Sequence, residues 1–92
     1  MADPQRFTEF WSYYPRRVAR LAAERAWRKV PDAEIEKVFS GLAVYLHYEW
    51  RGREISFVPH ASTWLNQRRW EDGAELEASH RERRFQMNRT RL

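Results

Sequence analysis

Residues 32–50 read DAEIEKVFSGLAVYLHYEW, and they carry the cleanest apolar stripe in the chain. Ile35, Val38, Phe39, Leu42, Ala43, Leu46 and Trp50 recur at the spacing of one helical face. Asp32 suits the N-cap, and Glu34 and Glu36 in the first turns complement the helix dipole. Val44 and Tyr48 fall on the other side. They read either as lone exposed residues or as a second contact surface. A helix with such a stripe needs neighbours to bury it, so the flanking segments decide what it packs against.

Upstream, Pro31 closes the segment RRVARLAAERAWRKV, residues 16–30, which is rich in helix formers. Val18, Ala19, Ala22, Ala23, Ala26, Trp27 and Val30 fill one broad arc of its wheel. Arg17, Arg20, Glu24, Arg25 and Arg28 fill most of the rest, with Leu21 among them. Its small alanines would let another helix approach closely. Before it lies DPQRFTEFWSYYP, residues 3–15, where Asp3 caps and Pro4 opens a helix. Phe7, Phe10, Trp11 and Tyr14 share one face, and Pro15 ends the helix at or before Tyr14.

Downstream, RGRE around Gly52 is a turn. The short run ISFV, residues 55–58, is read as extended, with Ile55 and Phe57 against the core. Pro59 opens a fourth helix ending near Trp70. There Ala61, Trp64 and Leu65 cluster inward, while Ser62, Thr63, Asn66, Gln67 and Arg69 lie opposite. Gly73 reads as the C-cap. From Ala74 onward large apolar residues are few, namely Leu76, Phe85, Met87 and Leu92. The fold expected is all-α: a small four-helix domain over residues 3–73 with an aromatic-rich core. Residues 74–92 form a charged, mobile or marginally helical C-terminal tail.

Ninety-two residues make a small core, and five Trp, five Phe and four Tyr supply its area. The chain has no cysteine, which excludes a disulfide framework and a thiolate metal site. No signal-like run follows Met1, and no stretch approaches a membrane span, so a soluble, cytoplasmic protein is expected. His47, His60 and His80 sit on different segments without HxH or HExxH spacing. Glu71 and Asp72 are adjacent and cannot oppose each other across a substrate. Three scattered glycines make no phosphate loop, and Ser56, Ser62 and Ser79 have no evident base. Neither an enzyme, a cofactor, a metal site nor a small-molecule substrate is expected.

Binding is better motivated. The cations are fifteen Arg and two Lys, with a net charge of +4. Arginine's planar fork suits phosphate and carboxylate, although a GC-rich genome produces the same bias. Arg16, Arg17, Arg20, Arg28 and Lys29 gather on or beside the second helix, and Arg68 and Arg69 end the fourth. With Asn66 and Gln67 they form the candidate nucleic-acid surface, cations on phosphates and amides on bases. A solvated polar face explains the same residues. Trp64 is read as core. Trp70 is read as core or core rim, with a stacking platform for unpaired bases as the alternative. If Arg69 faces outward, Arg69→Ala should affect binding more than folding. Val44, Tyr48, Leu76, Phe85 and Met87 are the candidate protein-docking residues.

Two stretches carry a family resemblance. FTEFWSYYPRRVARLAAERAWRKV, residues 7–30, has an aromatic-rich helix, Tyr-Pro, basic residues, then spaced Ala and Trp. FVPHASTWLNQRRWED, residues 57–72, has Phe, a hydrophobic residue and Pro, then Trp-Leu-Asn and Arg-Trp with an acid. The residues that match are Phe10, Trp11, Tyr14, Pro15, Ala23, Trp27, Phe57, Pro59, Trp64, Leu65, Asn66, Arg69, Trp70 and Asp72. Together they resemble the small helical domain near the C-terminus of bacteriophage and prophage replication initiators, replisome organisers and helicase-loader-like proteins. The resemblance implies a DNA-replication accessory role, binding single-stranded or origin DNA and helping recruit the replicative helicase. Such a domain usually follows a winged helix or linker, so an excised domain or a short stand-alone relative is expected here. The alternative is a small module that docks on, or inhibits, a host protein without touching DNA.

Overall fold

Helix α1 spans Pro4–Tyr13. Asp3 caps it, its carboxylate accepting from the Gln5 amide at 2.9 Å, and Pro4 takes the first helical position. Phe7, Phe10 and Tyr14 are buried from this segment. The computed structural model describes the backbone of residues 3–90 and the side chains of residues 3–81. Within those bounds the chain is all-α, with five α-helices where the spacing of apolar residues gives four.

Helix α2 spans Arg20–Arg28, starting later than the apolar arc predicts. Residues 15–19 form no helix, and Ala19 takes a left-handed conformation, φ 54°, that swings the chain into α2. Val18, Ala19 and Ala22 are therefore exposed, and the buried arc contracts to Ala23, Ala26, Trp27 and Val30. The Trp27 indole donates to the Asp3 carbonyl at 3.0 Å, tying α2 to the start of α1. The packing of α2 on α4 uses the small side chains of Ala23 and Ala26.

A 3₁₀ turn over Asp32–Glu34 leads into α3, Ile35–Val44, which continues as a π turn over Tyr45–Glu49. In that turn the Trp50 amide reaches back five residues to the Tyr45 carbonyl at 2.9 Å. Tyr45 and Trp50, at the two ends of this turn, are buried with their rings 5.0 Å apart, while Ala43 in α3 is exposed despite its place on the stripe.

Residues Ile55–Phe57 form a 3₁₀ turn rather than an extended run. Its two large side chains point outward, and Val58 fills the core position instead. Helix α4 is short, Ala61–Asn66. Arg68 then adopts φ 51°, and a 3₁₀ turn over Arg69–Asp72 carries Trp70 back into the core. Gly73 is not a C-cap: it is the buried first residue of α5, Gly73–Thr90. Gly41 allows this return. A Cβ there would lie 2.5 Å from Trp70 Cα, so only glycine lets α3 meet that backbone.

Trp64 sits at 0% exposure in the middle of these elements. Its ring meets Phe10 at 6.0 Å, Tyr14 at 6.2 Å, Tyr45 at 5.7 Å and Trp70 at 6.0 Å. Tilted and edge-on rings at these separations are favourable pairs. Helices α1 to α4, the π turn and the 3₁₀ turn over Arg69–Asp72 thus each contribute a ring or aliphatic side chain to one core, whereas the 3₁₀ turns over Asp32–Glu34 and Ile55–Phe57 contribute none. The indole N–H groups of Trp64 and Trp70 find no acceptor among the described residues. Helix α5 lies on α3 and the π turn, with Leu76 partly buried against the core.

Candidate nucleic-acid interface

The cations proposed for phosphate contact divide into two groups. Arg16, Arg68 and Arg69 serve the fold. The Arg16 guanidinium donates to the Val58 carbonyl at 3.0 Å and joins the α1–α2 connection to the entry of α4. Arg68 reaches Glu34 at 2.7 Å and also pairs with Glu71, while its guanidinium lies 5.2 Å over the Trp70 ring. The acceptor oxygens of Glu34 and Glu71 hold the Arg68 guanidinium charged above its ordinary range. Arg69 is half-buried, donates to the Gln67 side chain at 2.7 Å, and lies close enough to favour the ionised forms of Tyr14 and Tyr45. It does not face freely outward, so Arg69→Ala is a test of folding as much as of binding.

The second group lies on α2 or beside it. Arg17, before α2, donates to the Ser12 carbonyl at 3.4 Å, and Arg20 pairs with Glu24 at 3.0 Å. Arg25, Arg28 and Lys29 are exposed and have no carboxylate partner among the described residues. Residues 16–29 hold six cations and one carboxylate. Because α2 packs on α4, Lys29 and Asn66 share the rim of one concavity of about 200 Å³, with Arg68 beside them. A second concavity, about 210 Å³, brings Arg20 and Arg28 together over Phe7 and Trp27. Gln67 is exposed at the end of α4.

Arg25 is a further exposed cation of this group that the candidate residues did not include. The wheel places Arg25 with Arg28 opposite the apolar arc, and the structure leaves both exposed while Ala23, Ala26 and Trp27 are buried.

The candidate docking residues behave differently. Val44 and Tyr48 are half-buried, not exposed. Val44 lies within 4 Å of the Cβ direction of Gly73, and the Tyr48 ring stacks on His80 at 5.0 Å. Helix α5 occupies the surface they would offer, and Leu76 joins it there. Phe85 and Met87 lie outside the residues whose side chains are described. His47 also contacts Tyr48, at 4.6 Å, so two of the three histidines flank one tyrosine. No group of three or more His, Asp or Glu able to hold a metal gathers among the described residues. No helix there is long and apolar enough to cross a membrane.

A further concavity, about 440 Å³, is lined by more carboxylates. Glu34, Glu71 and Glu77 border it between α3 and α5, with Lys37 the one cation. Its carboxylates are paired, Glu34 with Lys37 and Arg68, Glu71 with Arg68 and Glu77 with Arg81, so a polyanion would meet the exposed cations of α2 first.

A family model described as the Legionella vir region protein LvrA C-terminal domain matches residues 2–68. The match covers most of the chain, and the chain belongs to that family. No curated protein and no solved structure matches it.

Proposed function

We propose that this member of the LvrA C-terminal domain family binds DNA through the outer side of α2, as an accessory domain in DNA replication. The observation that carries the reading is the charge of residues 16–29, six cations against one carboxylate, with Arg25, Arg28 and Lys29 unpaired among the described residues. Helix α2 holds these groups on a rigid body rather than a tail. Unpaired cations on a rigid surface release condensed counterions when phosphate arrives, which is the main source of affinity for DNA. Asn66 on the rim beside Lys29 supplies a group able to hydrogen-bond a base edge. The replication context comes from the sequence resemblance, in which the aromatic core residues and the Trp-Leu-Asn run are shared. Protein docking through Val44 and Tyr48 is the weaker reading, because α5 already covers them.

The test is a fluorescence-anisotropy titration with labelled single- and double-stranded DNA at rising salt. Binding should weaken linearly on a log–log plot. Replacing Arg25, Arg28 and Lys29 together with Gln should reduce the slope by about one per lost phosphate contact. Binding that is absent, or indifferent to salt, would sink the proposal.

A further inference from the structure

The α1–α2 connection and the α3–α4 connection meet at one end of the molecule. The Tyr14 hydroxyl donates to the Pro59 carbonyl at 2.6 Å, and Arg16 donates to the Val58 carbonyl at 3.0 Å. Tyr14 and Val58 are buried by that seam. Their immediate neighbours, Tyr13 and Phe57, point the other way, at 56% and 61% exposure. A phenylalanine left this open forgoes a large burial gain that the adjacent core could have taken. Exposed cations lie on the same two segments. The Arg53 guanidinium lies 5.5 Å over the Phe57 ring, Arg17 follows Tyr13 closely in the chain, and Arg51 is exposed on the turn before Arg53. Glu54, and Glu9 one helical turn before Tyr13, are the acidic residues of these segments.

We propose that this end, built on Tyr13 and Phe57, is a stacking site for the unpaired bases of single-stranded nucleic acid. The inference rests on the DNA-binding reading above and deepens it by naming the strandedness and the place. Exposed rings interleaved with cations are what a sequence-tolerant single-strand site requires: every base offers a π face, and the arginines follow the phosphates. Trp70, the sequence-based candidate for stacking, lies in the core at 4% exposure and is not available for it. The charge of the surround selects a polyanion over an apolar protein face.

The experiment compares the full chain with Y13A/F57A against three probes of about a dozen units each: a thymidine oligomer, an abasic strand and polyglutamate. Duplex DNA serves as the reference ligand. The wild-type chain should bind the thymidine oligomer at least about tenfold tighter than the abasic strand, and Y13A/F57A should lose that preference. Duplex affinity and melting temperature should hold in Y13A/F57A, since both side chains are exposed. F57W, which keeps a ring, should retain the preference even if Y13A/F57A proves unstable. Salt-dependent DNA binding with the thymidine oligomer held equally by wild type and Y13A/F57A would overturn the site while leaving the α2 reading intact. Equal affinity for the abasic strand or polyglutamate would overturn stacking, pointing to bare charge or to an acidic protein partner. Failure to bind any DNA would remove both proposals.

Discussion

Gly41→Ala gives the sharpest test of the packing. Two effects oppose each other. In a helix interior alanine is favoured over glycine by about 1 kcal/mol, because glycine has more backbone freedom to lose. Against that, the new Cβ would stand 2.5 Å from Trp70 Cα, 2.6 Å from Trp70 Cβ and 2.7 Å from the Trp70 carbonyl oxygen. Comfortable carbon contacts begin near about 3.5 Å, so the turn must retreat by roughly 1 Å. It is poorly able to. Arg68 anchors one side of the turn through Glu34, and on the other Gly73 already rests against Gly41, its own Cβ direction 3.2 Å from Gly41 Cα. Overpacking typically costs about 1–3 kcal/mol, and immovable backbone places this case at the upper end. The net loss is then about 2 kcal/mol, or roughly 8–16 °C in melting temperature for a domain of this size. Thermal unfolding of both proteins, followed by circular dichroism and tryptophan fluorescence, measures it. A variant melting at or above the wild type would mean that α3 and Trp70 are not apposed as described.

Two further outcomes follow from the core. Trp64→Ala should cost about 3–5 kcal/mol, because the ring is fully buried among Phe10, Tyr14, Tyr45 and Trp70; an unchanged melting temperature in that variant would place Trp64 outside the core. The second outcome is alkaline sensitivity. Burial raises the Tyr14 hydroxyl well above the ordinary tyrosine range, with Arg69 and Arg16 opposing, and burial likewise raises Tyr45. The folded state therefore resists an ionisation that the unfolded chain undergoes near pH of about 10. Their contribution is intact below that pH and is lost progressively as pH rises above it. Melting temperatures recorded from neutral to strongly alkaline pH should fall less steeply for the Y14F/Y45F variant, and a limb of equal steepness would refute the assignment.

How far the residues alone reach varies along the chain. Helix α1 is legible almost completely, since Asp3, Pro4, the i, i+3, i+4, i+7 aromatics and Pro15 all act within the segment. The body of α3 is equally plain. The α4 region is not, because proline and an inward triplet mark where the helix begins but nothing local marks Arg68 as left-handed. That conformation is held by Glu34, which lies on another element. The exposed rings were hidden for a related reason. Ile55 and Phe57 look like core residues in isolation, and only the 3₁₀ turn that seats Val58 shows them turned out. The candidate cations divide the same way: Arg16 and Arg68 are paired by distant carbonyls and carboxylates, whereas Arg25, Arg28 and Lys29 are left free by the burial of their own helix neighbours.

From sequence, then, come the helical class, the aromatic core and the cationic bias, because helical periodicity, capping chemistry and net charge are properties of neighbouring residues. Which cations remain available, which tryptophan is sealed in and which rings face solvent were settled by tertiary structure. Those outcomes depend on partners that meet only when the chain closes: the backbone of Trp70 on Gly41, Glu34 on Arg68, and Pro59 on Tyr14.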